Sequence, residues 1–303
     1  MQTQSEPVAL RTPTDFAALV HPYTVPQFMQ EVWNRAPRFT EARSGVAERV
    51  FESLRASTVP GFLKLAAESV LVMQYSSTGQ YRATPISAAV ATDFIECGST
   101  LYFHLRPTLA PVNACVREIA AELGVDPEFI KLSIFASPAG ATTEWHFDAN
   151  ENFTIHLVGA KRWLVSGASV VNPMGRISKT SACPPELAPK ISRDLEWVSQ
   201  DHITVHMQPG AVLYVPRGAW HRVDALEDAI ALNVCITPQT WEQVVLAALR
   251  RRLQADPVWR EMALEVKGTR EPSPQLQERY RENLARLVRA AGDLSLDELR
   301  AGG

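Results

Sequence analysis

Thr142-Thr-Glu-Trp-His-Phe-Asp-Ala-Asn-Glu-Asn-Phe-Thr-Ile-His-Leu-Val-Gly-Ala-Lys-Arg-Trp163 carries the pattern that decides the fold. Successive side chains of an extended strand point to opposite faces, so His146 and Asp148 project together while Phe147 enters the other layer. Along Asn152–Val158 the alternation puts Asn152, Thr154 and His156 on one face and Phe153, Ile155 and Leu157 on the other. Polar side chains confined to one face of an otherwise apolar strand predict a core on one side and a wet cavity on the other. Beyond a Gly159-Ala160 turn, Lys161 and Trp163 share a face again.

Working outward, residues from about Gly61 to Pro238 fall into short apolar or alternating runs split by turn residues. The expected strands are Val70–Tyr75, Thr100–Leu105, Lys131–Ser137, Thr143–Asp148, Asn152–Val158, Lys161–Ser166, Ile203–Met207, Ala211–Val215 and Ala229–Thr237. One helix interrupts them, Pro111–Leu123, ended by Gly124. Many short, closely spaced strands predict a mainly β fold, a double-sheet jelly roll (double-stranded β-helix) of the cupin kind. Residues 169–200, with Pro173, Gly175, Pro184, Pro185 and Pro189, read as a long loop that could cover a site.

Residues 1–60 are predicted as an N-terminal helical segment packing on the 61–238 jelly roll. Its first helix would be capped by Thr12 or Thr14, and Phe28, Val32 and Trp33 would dock the segment. Residues 239–303 return to helix over Thr240–Leu253 and Ser273–Ala290, the latter with an apolar stripe of Leu276, Tyr280, Leu284, Leu287 and Val288. Basic and acidic residues balance there, eleven to ten. The run Arg250-Arg-Arg252 therefore reads as a solvated face or a partner contact.

Composition narrows the function classes. Of 303 residues 46% are hydrophobic, enough for a large core, and the formal net charge of −3 gives no basic field for nucleic acid or membrane. The four cysteines, Cys97, Cys115, Cys183 and Cys235, form no close pair and read as thiols in a reducing compartment. The first residues lack a charged, then apolar, leader pattern, and no run reaches membrane-spanning length. The expectation is a cytoplasmic protein.

Two ligands from one strand need a third, and Tyr214-Val-Pro-Arg-Gly-Ala-Trp-His221 offers His221. Two histidines and one carboxylate on one side of a metal leave its other side open, the arrangement of non-haem Fe(II) oxygenases. A lysine reaching such a cavity needs an anionic partner, because an unpaired buried ammonium is costly. Lys161 is either that cation or a turn lysine in water. In Ala229–Thr237 the small or polar set, Ala229, Ala231, Asn233 and Cys235, leaves room on its face. His156 is expected near the cavity, as a contact or a lining residue. His202 and His206 are expected to be structural, and Trp145 and Trp220 to pack around the metal shell.

These residues resemble the JmjC-type, cupin-fold Fe(II)/2-oxoglutarate-dependent oxygenases, nearest the asparaginyl hydroxylase of hypoxia signalling and the ribosomal oxygenases. The resemblance covers roughly residues 60–238. It is carried by His146-Phe-Asp through Asn152 to Gly159-Ala-Lys-Arg-Trp163, and by Gly210 to His221. It implies that His146, Asp148 and His221 ligate Fe(II) and that Lys161 pairs with a 2-oxoglutarate carboxylate. Thr143, Asn152, Asn233 and Tyr102 fall at cosubstrate-contacting positions. His156 stands where many ribosomal oxygenases have Gln.

The implied reaction is hydroxylation, with O2 as oxidant, of a C–H bond in a protein or peptide side chain or an amino-acid-like small molecule, releasing succinate and CO2. Helices after the jelly roll imply a homodimer. Two other readings stay open, a metal-dependent cupin enzyme that does not use 2-oxoglutarate and a non-catalytic cupin binding module.

Overall fold

Alternating strands build two antiparallel sheets, and Val165, Val205, Met207, Leu213 and Val215 from strands of both form an apolar cluster of their own. The structure, a computed structural model, describes residues 12–75, 81–178, 188–264, 266 and 271–301. Cys183, residues 179–187 of the expected loop and the first residues, read for a leader, lie outside the described residues. The chain divides into two compact units, one running to Thr237 and the other from Pro238.

The first unit opens with helices α1 (Phe16–Val20) and α2 (Val25–Glu31), strand β1 (Arg38–Thr40), and helices α3 (Val46–Leu54) and α4 (Val59–Leu63). Strands β2 (Val70–Tyr75) and β3 (Tyr81–Ile86), helix α5 (Ala91–Glu96), β4 (Thr100–His104) and α6 (Ala110–Leu123) follow. Next come β5 (Ile130–Ser137), β6 (Thr142–Phe147), β7 (Glu151–Val158), β8 (Lys161–Ser169), the short β9 (Ile177–Ser178) and helix α7 (Ala188–Val198). Strands β10 (Ile203–Met207), β11 (Val212–Val215), β12 (Ala219–Ala225) and β13 (Ala229–Ile236) complete the unit.

The larger sheet has the order β1-β11-β7-β13-β5-β4-β2-β3 and the smaller β10-β8-β12-β6-β9. This is the jelly roll expected from the alternation. The apolar face of the larger sheet, with Phe153, Ile155, Leu132, Ile134, Leu232 and Val234, forms one core with Phe16, Phe28, Val50, Phe62 and Ile119 from the helices. The N-terminal aromatics dock as expected. Phe28 meets Tyr214 edge-on at 5.0 Å, and Trp33 stacks on Tyr214 at 6.0 Å. Such pairs add about 0.5–1.5 kcal/mol each beyond their burial.

Several elements depart from the expectation. Asp15 caps α1, accepting from the Ala18 N–H at 2.7 Å, because Asp15 sits at the cap position and Thr14 one residue too early. Strand β1 lies inside the segment predicted as helical and adds to the edge of the larger sheet. Strand β3 carries Pro85, which is tolerated because β3 is an edge strand. Strand β12 is hidden in the sequence by Arg222 and Asp224, and Asp224 pairs with both Arg222 and Arg162. Within the expected 169–200 loop, α7 buries Ile191 and Val198 against Trp145, Phe147 and Trp220.

The second unit holds α8 (Trp241–Ala255), α9 (Pro274–Gly292) and α10 (Leu296–Arg300). Thr240 and Gln243 form a reciprocal capping box on α8, and Ser273 caps α9. The arginine run is partly consumed internally. Arg252 pairs with Glu298 at 2.7 Å and donates to the Ala290 and Asp293 carbonyls at the end of α9. Arg251 donates to the Glu298 carbonyl.

Candidate metal centre

Strand β6 presents His146 and leads directly to Asp148, while β12 places His221 across from His146 in register. The two imidazole centroids are 4.1 Å apart, and one ligand atom from each of His146, Asp148 and His221 falls within 4.8 Å of the others. His146 Nδ1–H donates to the Glu144 carbonyl at 2.8 Å and His221 Nδ1–H to the Ala219 carbonyl at 3.0 Å. Each bond fixes the ring and leaves the Nε2 lone pair available, as a metal-binding histidine requires. Burial pushes the pKa of both imidazoles below the usual histidine value, so both are neutral at pH 7. Trp163 stacks on the His221 ring at 5.6 Å and 24°.

Asp148 is held from several sides. Its Oδ2 accepts from Asn152 Nδ2 at 3.3 Å and lies 3.7 Å from His221 Nε2, whereas its Oδ1 faces Arg176 Nε at 3.3 Å. The Asp148 carbonyl accepts the Gly218 N–H at 2.8 Å. Gly218 has φ +80°, and a Cβ there would lie 2.0 Å from the Val170 carbonyl oxygen, so only glycine fits. Two neutral imidazoles and a carboxylate converging with their other atoms engaged are a donor set suited to a divalent transition metal.

The triad forms one wall of a cavity of about 130 Å³ between the sheets. Lys161, on β8, reaches the same cavity and is only 5% exposed. Its Nζ donates to Ser137 Oγ at 2.9 Å and lies 5.9 Å from the Phe135 ring centroid. Among the described residues no carboxylate pairs with it, and burial lowers its pKa to about 8. Thr100 Oγ1 completes this polar corner at 3.2 Å from Ser137 Oγ. Between the two ends runs a relay in which Thr154 donates to Asn233, Asn233 to Asn152 and Asn152 to Asp148. Thr143 also lines the cavity, with Oγ1 on the Val223 carbonyl.

The structure thus brings His146, Asp148, His221, Lys161, Asn152, Thr143 and Asn233 to one cavity. Tyr102 is the exception. It does not line the cavity, and its hydroxyl meets Ser133 Oγ at 3.2 Å and His104 Nδ1 at 3.4 Å. Thr100, two residues earlier on the same face of β4, takes the place next to Lys161. His156 also falls outside the lining, fully buried with Nε2 on the Gly159 carbonyl. Burial, then the Lys161 charge, pushes its pKa down to about 4. On the β7 face Asn152 and Thr154 line the cavity and His156 does not, so alternation alone overextended it. Trp145 and Trp220 sit in the apolar cluster with α7, and His202 packs on Trp145. Arg176, Ser137 and Thr100 escaped the sequence reading. Ser137 could have been found from its alternation with Ser133 and Phe135, while Arg176 gives no local signal.

Residues 117–244 match the family model described as a JmjC domain. YxbC of Bacillus subtilis, an uncharacterized protein, is 28% identical over 292 residues, covering 88% of this chain and 84% of that protein. Ribosomal oxygenase 1 of Gallus gallus is 28% identical over 145 residues, which are 42% of this chain and 22% of that protein. Structures of the Escherichia coli ribosomal oxygenase YcfD share the fold. The complex with cobalt and succinic acid has a TM-score of 0.54 at 16% identity over 92% of this chain and 69% of that one. The complex with cobalt and 2-oxoglutarate has a TM-score of 0.51 at 17% identity, with 88% and 67% coverage.

Proposed function

We propose that this chain, whose residues 117–244 match the JmjC domain family, is an Fe(II)- and 2-oxoglutarate-dependent oxygenase that hydroxylates a side chain of a protein or peptide. One observation carries the reading. A single cavity holds a two-histidine, one-aspartate cluster and, away from it, a buried ammonium without a carboxylate partner. A cupin enzyme with no anionic cosubstrate would have no reason to bear the cost of burying Lys161. The relatives named as ribosomal oxygenases, and the cobalt and 2-oxoglutarate held by YcfD, support the same chemistry and favour a protein substrate over a free amino acid.

His146, Asp148 and His221 would hold the metal, and Lys161, with Ser137 and Thr100 beside it, the distal carboxylate of 2-oxoglutarate. Bound there, Fe(II) with 2-oxoglutarate and O2 supplies oxidative hydroxylation of a C–H bond, with succinate and CO2 as co-products. The protein's own part is ligation, orientation and exclusion of water. Asn233 and Asn152 steady Asp148, Trp163 steadies His221, and Phe135 shields Lys161 from solvent. Neutral imidazoles are ready to ligate without first losing a proton.

Among the described residues no helix is long and apolar enough to cross a membrane. Cys97, Cys115 and Cys235 are free thiols, which suits a reducing cytoplasm. On α9, Tyr280, Leu284 and Val288 leave an apolar stripe exposed, and we read it as the contact of a homodimer. Leu284→Glu with Val288→Glu should halve the mass seen by light scattering.

The decisive test of the activity is anaerobic titration of the apo-protein with Fe(II) and 2-oxoglutarate. It should give the weak visible charge-transfer band of the chelate, and air should then release succinate. Absence of both from the wild-type protein would defeat the assignment.

A further inference from the structure

Asp148 presents its two oxygens to different neighbours. Oδ2 looks toward His221 Nε2 and Asn152, and Oδ1 faces Arg176. Arg176 stands directly before β9, whose Ile177 and Ser178 pair with Phe147 and His146. Ile177 also packs on the cluster of Trp145, Phe147 and Trp220. The guanidinium is therefore delivered to Asp148 by a strand hydrogen-bonded to the ligand strand itself, and it also lines the cavity.

A carboxylate can ligate with one oxygen or two. A second Asp148 oxygen on the metal would take one of the positions that a bidentate cosubstrate and O2 need. An arginine on the outward oxygen favours the one-oxygen mode, because its ion pair is lost if that oxygen turns to the metal. We propose that Arg176 is a positioning residue that holds Asp148 as a one-oxygen ligand and so keeps the open face of the metal available. This rests on the oxygenase reading for what fills the open face, but not for what Arg176 does to Asp148. Its placement between β8 and α7, away from every sequence motif of the site, is why it is not evident from the sequence.

The test uses the full chain as apo-protein, with Co(II) alone and then 2-oxoglutarate as probes. In Arg176→Gln, Co(II) should bind at least as tightly as in the wild type but with a shifted visible d–d band. Its 2-oxoglutarate affinity, measured by calorimetry on the Co(II) form, should fall on the order of 10- to 100-fold. Arg176→Lys should recover part of that loss. Thermal unfolding of the apo-proteins should agree within a few degrees, since Arg176 is partly exposed. An unchanged band together with unchanged 2-oxoglutarate affinity in Arg176→Gln overturns the assignment. If the wild-type Co(II) form fails to bind 2-oxoglutarate, the oxygenase reading is overturned instead, and the d–d band of Arg176→Gln alone decides whether Arg176 orients Asp148.

Discussion

Lys161 Nζ donates to Ser137 Oγ at 2.9 Å in the interior of the jelly roll, and no described carboxylate neutralises it. A hydroxyl cannot offset the loss of hydration of an ammonium, so the site is poised for an anion. Lys161→Ala should weaken 2-oxoglutarate binding by about 2–5 kcal/mol, on the order of 30- to 5,000-fold, while leaving Co(II) affinity near that of the wild type. Calorimetry on the Co(II) form separates the two effects. An unchanged 2-oxoglutarate affinity would remove Lys161 from the site.

The same group predicts a pH dependence with a definite sign. Burial lowers the Lys161 pKa from 10.5 to about 8, and a carboxylate ligand stabilises the protonated form. Affinity for 2-oxoglutarate should therefore be flat below about pH 8 and fall up to tenfold per pH unit above it. Stability moves oppositely. The ligand-free folded state disfavours the proton that the unfolded chain keeps up to pH 10.5, a penalty on the order of 3 kcal/mol. That penalty is complete below about pH 8 and disappears as pH rises toward 10.5. Lys161→Met should thus be more stable than the wild type at pH 7, and the gap should close by pH 10.5, as urea midpoints would register.

The central strands and most of this site were legible because alternation encodes both. A polar face on Asn152-Phe-Thr-Ile-His and an apolar face beneath it can hardly be read otherwise, and His146 and Asp148 share a face by the same rule. The sequence marks His221 as a candidate ligand but not as part of a strand, since Arg222 and Asp224 disguise β12 as loop. What pairs across space was hidden. Nothing local to Arg176 indicates that β9 will bring it to Asp148, and only the register of β4 decides that Thr100, not Tyr102, reaches Ser137. The α7 helix was obscured by prolines, although Ile191, Leu195 and Val198 keep helical spacing.

Glu151 is buried, and Tyr214 donates its hydroxyl to Oε2 at 2.5 Å while the Arg217 N–H approaches at 3.3 Å. Tyr214 OH in turn accepts the Asn34 N–H at 2.8 Å, tying the N-terminal segment to β7 and β11. Burial pushes the Glu151 pKa up. Tyr214→Phe would leave both the carboxyl and the Asn34 N–H short of a partner and should cost about 1–3 kcal/mol. Urea unfolding would measure it. Co(II) affinity should change little, since Glu151 does not ligate.

Two glycines with similar backbone angles should respond differently to the same substitution. Gly140 has φ +82° with no atom within 4 Å of where a Cβ would sit, whereas Gly218 has φ +80° with the Val170 carbonyl oxygen 2.0 Å from that position. Gly140→Ala should carry only the left-handed penalty of about 1 kcal/mol, lowering Tm by a few degrees. Gly218→Ala must also displace backbone. The Gly218 N–H holds the Asp148 carbonyl, its own carbonyl accepts the Val170 N–H, and His221 follows three residues later. The displacement therefore falls on two of the three residues of the proposed metal site at once, and Co(II) affinity should drop by on the order of tenfold or more, while Gly140→Ala leaves it intact. Parallel Co(II) titrations of the two variants decide it, and equal affinities would mean that the 218 turn plays no part in placing the ligands.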